Sequence, residues 1–388
     1  MVTIYNVFTG SMAKPNKIKV LFTIPNFDTA GSGKALLKVA TRLDAEKFEP
    51  HIACMHNKGS FFKEVEKSGI PVHLIPYTIR MKPYHKGLIH CFKISRILKK
   101  INPDIIHSFH YAPDYSEALA AKMAGIKWMY TKKNMNWGGK SANGWKMRSF
   151  LANAIAIQNT DMQAEFFPNS QKTTLIPRGV DVAEFAPKPP STELKNKWKL
   201  TKNSRILMCV ANLVPVKGIE IILEAFERIN SDFPDWKMMV IGDANNKYGE
   251  ALRQKVVASA LTEKVIFTGK QPNVADYLQL ADVFALPTLN KGRKEGSPVA
   301  MLEAMACECF VLGSAISGIK DQLASFPDLL VAAGNTNAWV TALQKAFSES
   351  ETTRKNTGKK LRVEVLKKYT LAHEVEKCAA LYQKIVAS

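Results

Sequence analysis

Thirteen short, continuous apolar runs, each parted from the next by a helical or polar stretch, constrain this chain more than anything else in it. Seven fall in the first half: Ile18–Ile24, His51–Met55, Val72–Ile75, Ile105–His107, Trp128–Thr131, Ile155–Ile157 and Thr174–Ile176. Six follow: Ile206–Val210, Lys237–Ile241, Val265–Phe267, Val283–Leu286, Phe310–Leu312 and Leu329–Ala332. Short apolar runs without polar alternation suit strands buried on both faces, and intervening amphipathic helices make those strands parallel. At 388 residues the chain is too long for one ordinary core. These features predict an α/β fold of two Rossmann-like domains in tandem with a cleft between them.

The break lies at Asp181–Ser204. There Pro187, Pro189 and Pro190 precede a polar, Lys-rich stretch that suits neither a helix nor a sheet centre. The division is then residues 1–185, a linker at 186–203, a second domain at 204–370 and a final segment at 371–388. Within that segment Glu374–Val386 is amphipathic, with Val375, Cys378, Leu381, Tyr382 and Ile385 on one face.

No apolar run reaches the roughly eighteen residues needed to span a bilayer. Met1–Lys19 lacks the basic start and apolar core of a signal peptide. The six cysteines form no C-x-x-C pair and read as free thiols of a reducing cytosol. Net charge is +20. Its densest part, Lys58–Lys100, opposes ten basic residues with only Glu64 and Glu66. Such a field draws anionic partners. No nucleic-acid-binding motif accompanies it, so nucleic acid is not expected among them.

One frame carries chemistry. Glu295-Gly296-Ser297-Pro298 runs on to Val299 and Glu303, placing two carboxylates around a Gly-x-Pro turn where the run Val283–Leu286 gives way to a helix. The first N–H groups of a helix lack internal partners and hold anions. Carboxylates beside them accept hydrogen bonds from hydroxyls. The pairing suits a ligand that is part phosphate and part polyol, as a nucleotide sugar is. Earlier, Gly31-Ser32-Gly33-Lys34 follows the first strand and reads as a loop ahead of a helix from Ala35. It is not a Walker A loop, since Asp28 stands at the first glycine's place and Ala35 follows the lysine. Nor is it a dinucleotide fingerprint, since Leu36 stands where the third glycine belongs.

With these pieces in place, the chain resembles a GT-B-fold retaining glycosyltransferase of the family-4 type over nearly its whole length. The resemblance rests on E-G-x-P-x-x-x-x-E-A-M-A, matched by Glu295, Gly296, Pro298, Glu303, Ala304, Met305 and Ala306. It also rests on the junction Pro177, Gly179, Val180, Asp181, Phe185 and on the turn Pro215, Lys217, Gly218. It implies that Glu303 accepts hydrogen bonds from the ribose, and that Glu295 grips hydroxyls of the donor sugar. Main-chain N–H groups near Ser297, Pro298 and Val299 would face the phosphates, and Lys217 would offset the leaving diphosphate. Asn212 and Gly242 would stand at the same nucleotide site, with Gly31 and Gly33 passing close to phosphates and acceptor. A functional histidine is implied after Asp104–Ile106, and either His110 or His107 could be it. The final helix would cross back onto the first domain.

The chain departs from the family pattern at Asn212, where Arg is usual. Arg178, Arg293 or Lys294 could supply the missing cation. No Asp-x-Asp is present, so the expected reaction needs neither metal nor cofactor. The resemblance implies retention by front-face attack assisted by the leaving phosphate. The donor would be a UDP- or GDP-sugar and the acceptor a glycan or lipid-linked glycan of bacterial surface polysaccharide, lipopolysaccharide or glycolipid assembly. Gly87–Ile101 mixes Lys93, Arg96, Lys99 and Lys100 with outward Ile89 and Phe92. Lys132–Arg148 surrounds Trp137 and Trp145 with basic residues. Both suit a cytoplasmic enzyme meeting an anionic surface at the inner face of the plasma membrane. The alternatives are a nucleotide-sugar epimerase of the same fold, or a catalytically weak sugar- or polyanion-binding homologue.

Overall fold

A computed structural model of the chain describes residues 17–28, 30–136, 142–292 and 296–388. Every run named above is a strand. The first seven are β1 (Ile18–Thr23), β2 (Phe48–Cys54), β3 (Val72–Leu74), β4 (Ile105–Ser108), β5 (Lys127–Lys132), β6 (Ala154–Ile157) and β7 (Thr173–Leu175). The other six are β8 (Arg205–Val210), β9 (Trp236–Ile241), β10 (Val265–Gly269), β11 (Val283–Leu286), β12 (Phe310–Ser314) and β13 (Leu330–Val331). They make two parallel sheets, in the orders β3-β2-β1-β4-β5-β6-β7 and β10-β9-β8-β11-β12-β13.

The chain divides into two compact units, and the division falls inside β5. One comprises residues up to His110, Ser116–Trp128 and Tyr382–Ser388; the other comprises Tyr111–Tyr115 and Met129–Leu381. In the first, Val20, Leu21, Phe22, Ile52, Ile105 and Ile106 are buried. They hold β1 between β2 and β4, with Leu21 opposite His51 and Ile106. In the second, β8 pairs with β9 along its whole length, Arg205 to Val210 against Trp236 to Ile241. The helix Ile219–Ile229 buries Ile222, Leu223, Phe226 and Ile229.

Two local expectations are corrected. The Lys-rich stretch after the prolines does sustain a helix, Thr192–Lys197. Ser191 Oγ caps it by accepting from Leu194 N–H at 3.2 Å, and Leu194 is its buried anchor. The strand β2 begins at Phe48, ahead of the apolar run. Pro50 is tolerated there because Ile52 N–H already bonds Pro71 O and β3 starts only opposite Ile52. The proline therefore lacks a donor where no strand is waiting for one. All six cysteines are buried and free.

Candidate active site

In the six-stranded sheet β9 and β10 lie on one side of β8, and β11 to β13 on the other. Strand order thus reverses between β8 and β11, and a parallel sheet opens a crevice at such a point beyond the carboxyl ends of its strands. The segments that follow these two strands are tied together: Leu289 N–H donates to Val216 O at 2.8 Å. Between them Lys217 ends a 3-10 turn, Pro215–Lys217, with its side chain buried. Its charge reaches the end of β8, where it opposes the burial that pushes the Cys209 thiol up to about 12. Asn212 is exposed, and its carbonyl accepts from Val214 N–H at 2.9 Å. Gly242, after β9, packs so tightly that a Cβ there would run into Ala211 O and lie 2.7 Å from Leu213 Cδ1.

The helix Val299–Ala306 follows β11. Pro298 is its N-cap and no side chain caps it, which leaves its first N–H groups to solvent or ligand. Met301, Leu302, Ala304 and Met305 face the core, while Glu303 is half-buried. Burial, reinforced by the Glu303 charge, pushes the neighbouring Cys307 thiol up to about 12. Ser297 is buried, and both its Oγ and Pro298 O accept from Gln322 Nε2 at 3.2 Å. Arg293, Lys294 and Glu295 lie outside the described residues. Arg178, offered as a phosphate contact, is instead engaged elsewhere: its Nη1 donates to Glu374 Oε1 at 2.5 Å, both side chains being buried.

Thr288 was not singled out from sequence. It follows β11, is 1% exposed, and its Oγ1 has no hydrogen-bond partner among the described residues. An unsatisfied buried hydroxyl costs roughly 1–3 kcal/mol. The signal was a hydroxyl closing an otherwise apolar run.

The first unit reverses strand order between β1 and β4. His107, in β4, is enclosed: its Nδ1 shares a 2.6 Å hydrogen bond with Tyr382 OH, and its ring lies against Phe22 and Phe109. His110 lies past the strand, buried, with its ring edge-on to Tyr77 at 6.3 Å. Glu117, fully buried and unnoticed in the sequence, accepts from Thr23 Oγ1 at 2.5 Å and Ser108 Oγ at 2.7 Å, tying the ends of β1 and β4 together. Gly31 and Gly33 are not in a loop. The helix begins at Ala30, and both sit in its first turn. Gly33 is needed there for packing, because a Cβ would lie 2.8 Å from Phe27 Cδ1, whereas Gly31 faces open space.

Two family models match this arrangement, Glycosyltransferase Family 4 over residues 29–184 and Glycosyl transferases group 1 over residues 190–363. The chain belongs to the group 1 glycosyltransferases of the GT-B fold. This glycosyltransferase is 23% identical over 379 residues to UDP-Gal:alpha-D-GlcNAc-diphosphoundecaprenol alpha-1,3-galactosyltransferase of Escherichia coli, covering 92% of this chain and 95% of that one. Its fold is shared by a glycosyltransferase from Rickettsia africae, at TM-score 0.84 and 19% identity over 96% of this chain and 99% of that one. It is shared too by HepE of Anabaena in complex with UDP and glucose, at TM-score 0.78 and 16% identity over 94% and 98%. No helix among the described residues of this glycosyltransferase is long and apolar enough to cross a membrane.

Proposed function

We propose that this glycosyltransferase moves a hexose from a UDP- or GDP-sugar to a glycan or lipid-linked acceptor in surface polysaccharide or glycolipid assembly, with retention and without a metal. The observation that carries this reading is topological: Lys217 and the uncapped helix Val299–Ala306, which bears Glu303, follow β8 and β11, the two strands between which strand order reverses. A cation and helical N–H groups stabilise the charge that develops on the diphosphate as the glycosidic C–O bond breaks. Glu303 accepts from the ribose hydroxyls. The acceptor hydroxyl attacks the same face and passes its proton to the departing phosphate oxygen. The E. coli relative, whose name gives a UDP-sugar donor and a diphosphoundecaprenol acceptor, supports this choice of substrates.

The first unit supports a membrane-linked acceptor. Tyr84, Leu88, Ile89 and Phe92 of the helix Tyr84–Ile101 are 57%, 46%, 55% and 56% exposed. They stand among Lys86, Lys93, Arg96, Lys99 and Lys100, with no acid in the helix. An apolar stripe within basic charge suits the headgroup region of anionic lipid.

Calorimetric titration with UDP and GDP in EDTA tests the donor reading. Tight binding of one diphosphate is expected, weakened about ten- to a hundredfold in Glu303→Ala, which loses charged hydrogen bonds. Binding that appears only on adding Mn²⁺ would overturn metal independence. Binding of neither diphosphate would overturn the donor assignment.

A further inference from the structure

The segment that leads into the helix Val299–Ala306 is held by residues far from it in the chain. Gly296 N–H donates to Lys133 O at 3.0 Å. Gly296 O accepts from Asn159 Nδ2 at 2.7 Å, across a separation of 137 residues. Asn159 is fully buried and its amide is fully used. Its Oδ1 accepts from Met162 N–H at 2.8 Å, capping the helix Thr160–Phe166, and its second N–H points at Met135 Sδ at 3.6 Å. These partners fix the amide's orientation: the oxygen must meet the N–H of Met162, so the nitrogen must meet the carbonyl of Gly296. The enclosure is tight. A Cβ on Gly296 would lie 2.6 Å from Met162 Cε and 2.7 Å from Lys133 O, and one on Gly318 would run into Gly296 O.

Bonds beside this contact tie the same two regions. Asp321 accepts from Thr160 N–H at 2.7 Å and from Thr160 Oγ1 at 2.9 Å. Asp161 accepts from Ser317 Oγ at 2.7 Å and pairs with Lys320 at 3.2 Å.

We infer that Asn159 is a positioning residue for the donor site, holding Gly296 and with it the first N–H groups of Val299–Ala306. The inference rests on the reading of that helix start as the diphosphate site. Donors act on developing charge only where their place is set beforehand, and here the buried Asn159 amide shares that task with Lys133 O and Gln322.

Two substitutions isolate the contact. Asn159→Ser keeps an N-cap oxygen but cannot reach Gly296. Asn159→Asp keeps the cap and turns the donor into an acceptor facing a carbonyl. Both leave Gly296 O without its donor, so both should stay folded but melt below wild type, the aspartate variant lowest because it sets a buried carboxylate against a carbonyl. Hydrogen exchange at Gly296–Ala300 should quicken in both. The diphosphate that binds wild type, UDP or GDP, should bind about tenfold more weakly in both, and weakest in the aspartate variant. Unchanged exchange in either folded variant overturns the inference. Faster exchange with unchanged diphosphate affinity keeps the clamp and overturns the placing of the diphosphate at that helix. If wild type binds neither diphosphate the donor reading falls, and exchange alone still decides whether Asn159 holds the loop.

Discussion

Arg178 and Glu374 form an ion pair with side chains only 10% and 6% exposed, and Glu374 Oε2 also accepts from Gly179 N–H at 2.8 Å. Removing one member of such a pair strands a buried charge. Glu374→Ala should therefore cost about 3–5 kcal/mol in urea unfolding, while Arg178→Met combined with Glu374→Leu should recover most of that loss. A single-variant loss no larger than that of a surface substitution would show that the pair is solvated. The sequence hid this partnership because Glu374 stands 196 residues from Arg178, and no local spacing links them. The motif that holds Glu303 is local instead. Ala304, Met305 and Ala306 are buried on a helix capped by Pro298 and preceded by Gly296, so the whole motif lies within one short stretch.

At the scale of elements, strands buried on both faces leave continuous apolar runs, and each of the thirteen was readable from them. What escaped were elements set by a single polar contact. Ser191 makes a helix where charge and proline argued for none. The glycines of the first helix read as a loop because their role, packing against Phe27, is tertiary. The exposed face of Tyr84–Ile101 was partly legible: Ile89 and Phe92 stood out, and the structure adds Tyr84 and Leu88. The membrane reading of that face predicts that the protein floats with vesicles containing phosphatidylglycerol and not with pure phosphatidylcholine. Ile89→Glu with Phe92→Glu should abolish flotation. Equal binding to both vesicles would remove the electrostatic half of the argument.

For the whole molecule, burial of thiols sets a pH dependence. Cys54 is pushed up to about 11, and Cys209 and Cys307 to about 12, from an ordinary 9.0, in each case mainly by burial. Tyr130 and Tyr369 are raised in the same way to about 12. The folded chain thus keeps protons that the unfolded chain releases first. Their contribution to stability is complete below about pH 9 and is lost as pH rises toward 12. Melting temperature should fall across that window, and thiol reagents at pH 8 should label the protein only once it is unfolded. Rapid labelling of Cys209 in the native protein would contradict its burial.

The contact of Asn159 with Gly296 also limits how the chain can be recombined. The stretch that matches the group 1 model begins at residue 190, so it contains Gly296 but neither Lys133 nor Asn159. A chimera joining this second half to the first half of another glycosyltransferase would inherit the stretch Gly296–Ala306 intact. Its segment at Gly296 would nonetheless rest on whatever the foreign half presents at those two places. Such grafts should bind the diphosphate best where a side-chain amide stands ready at the position of Asn159, and about tenfold more weakly where it does not.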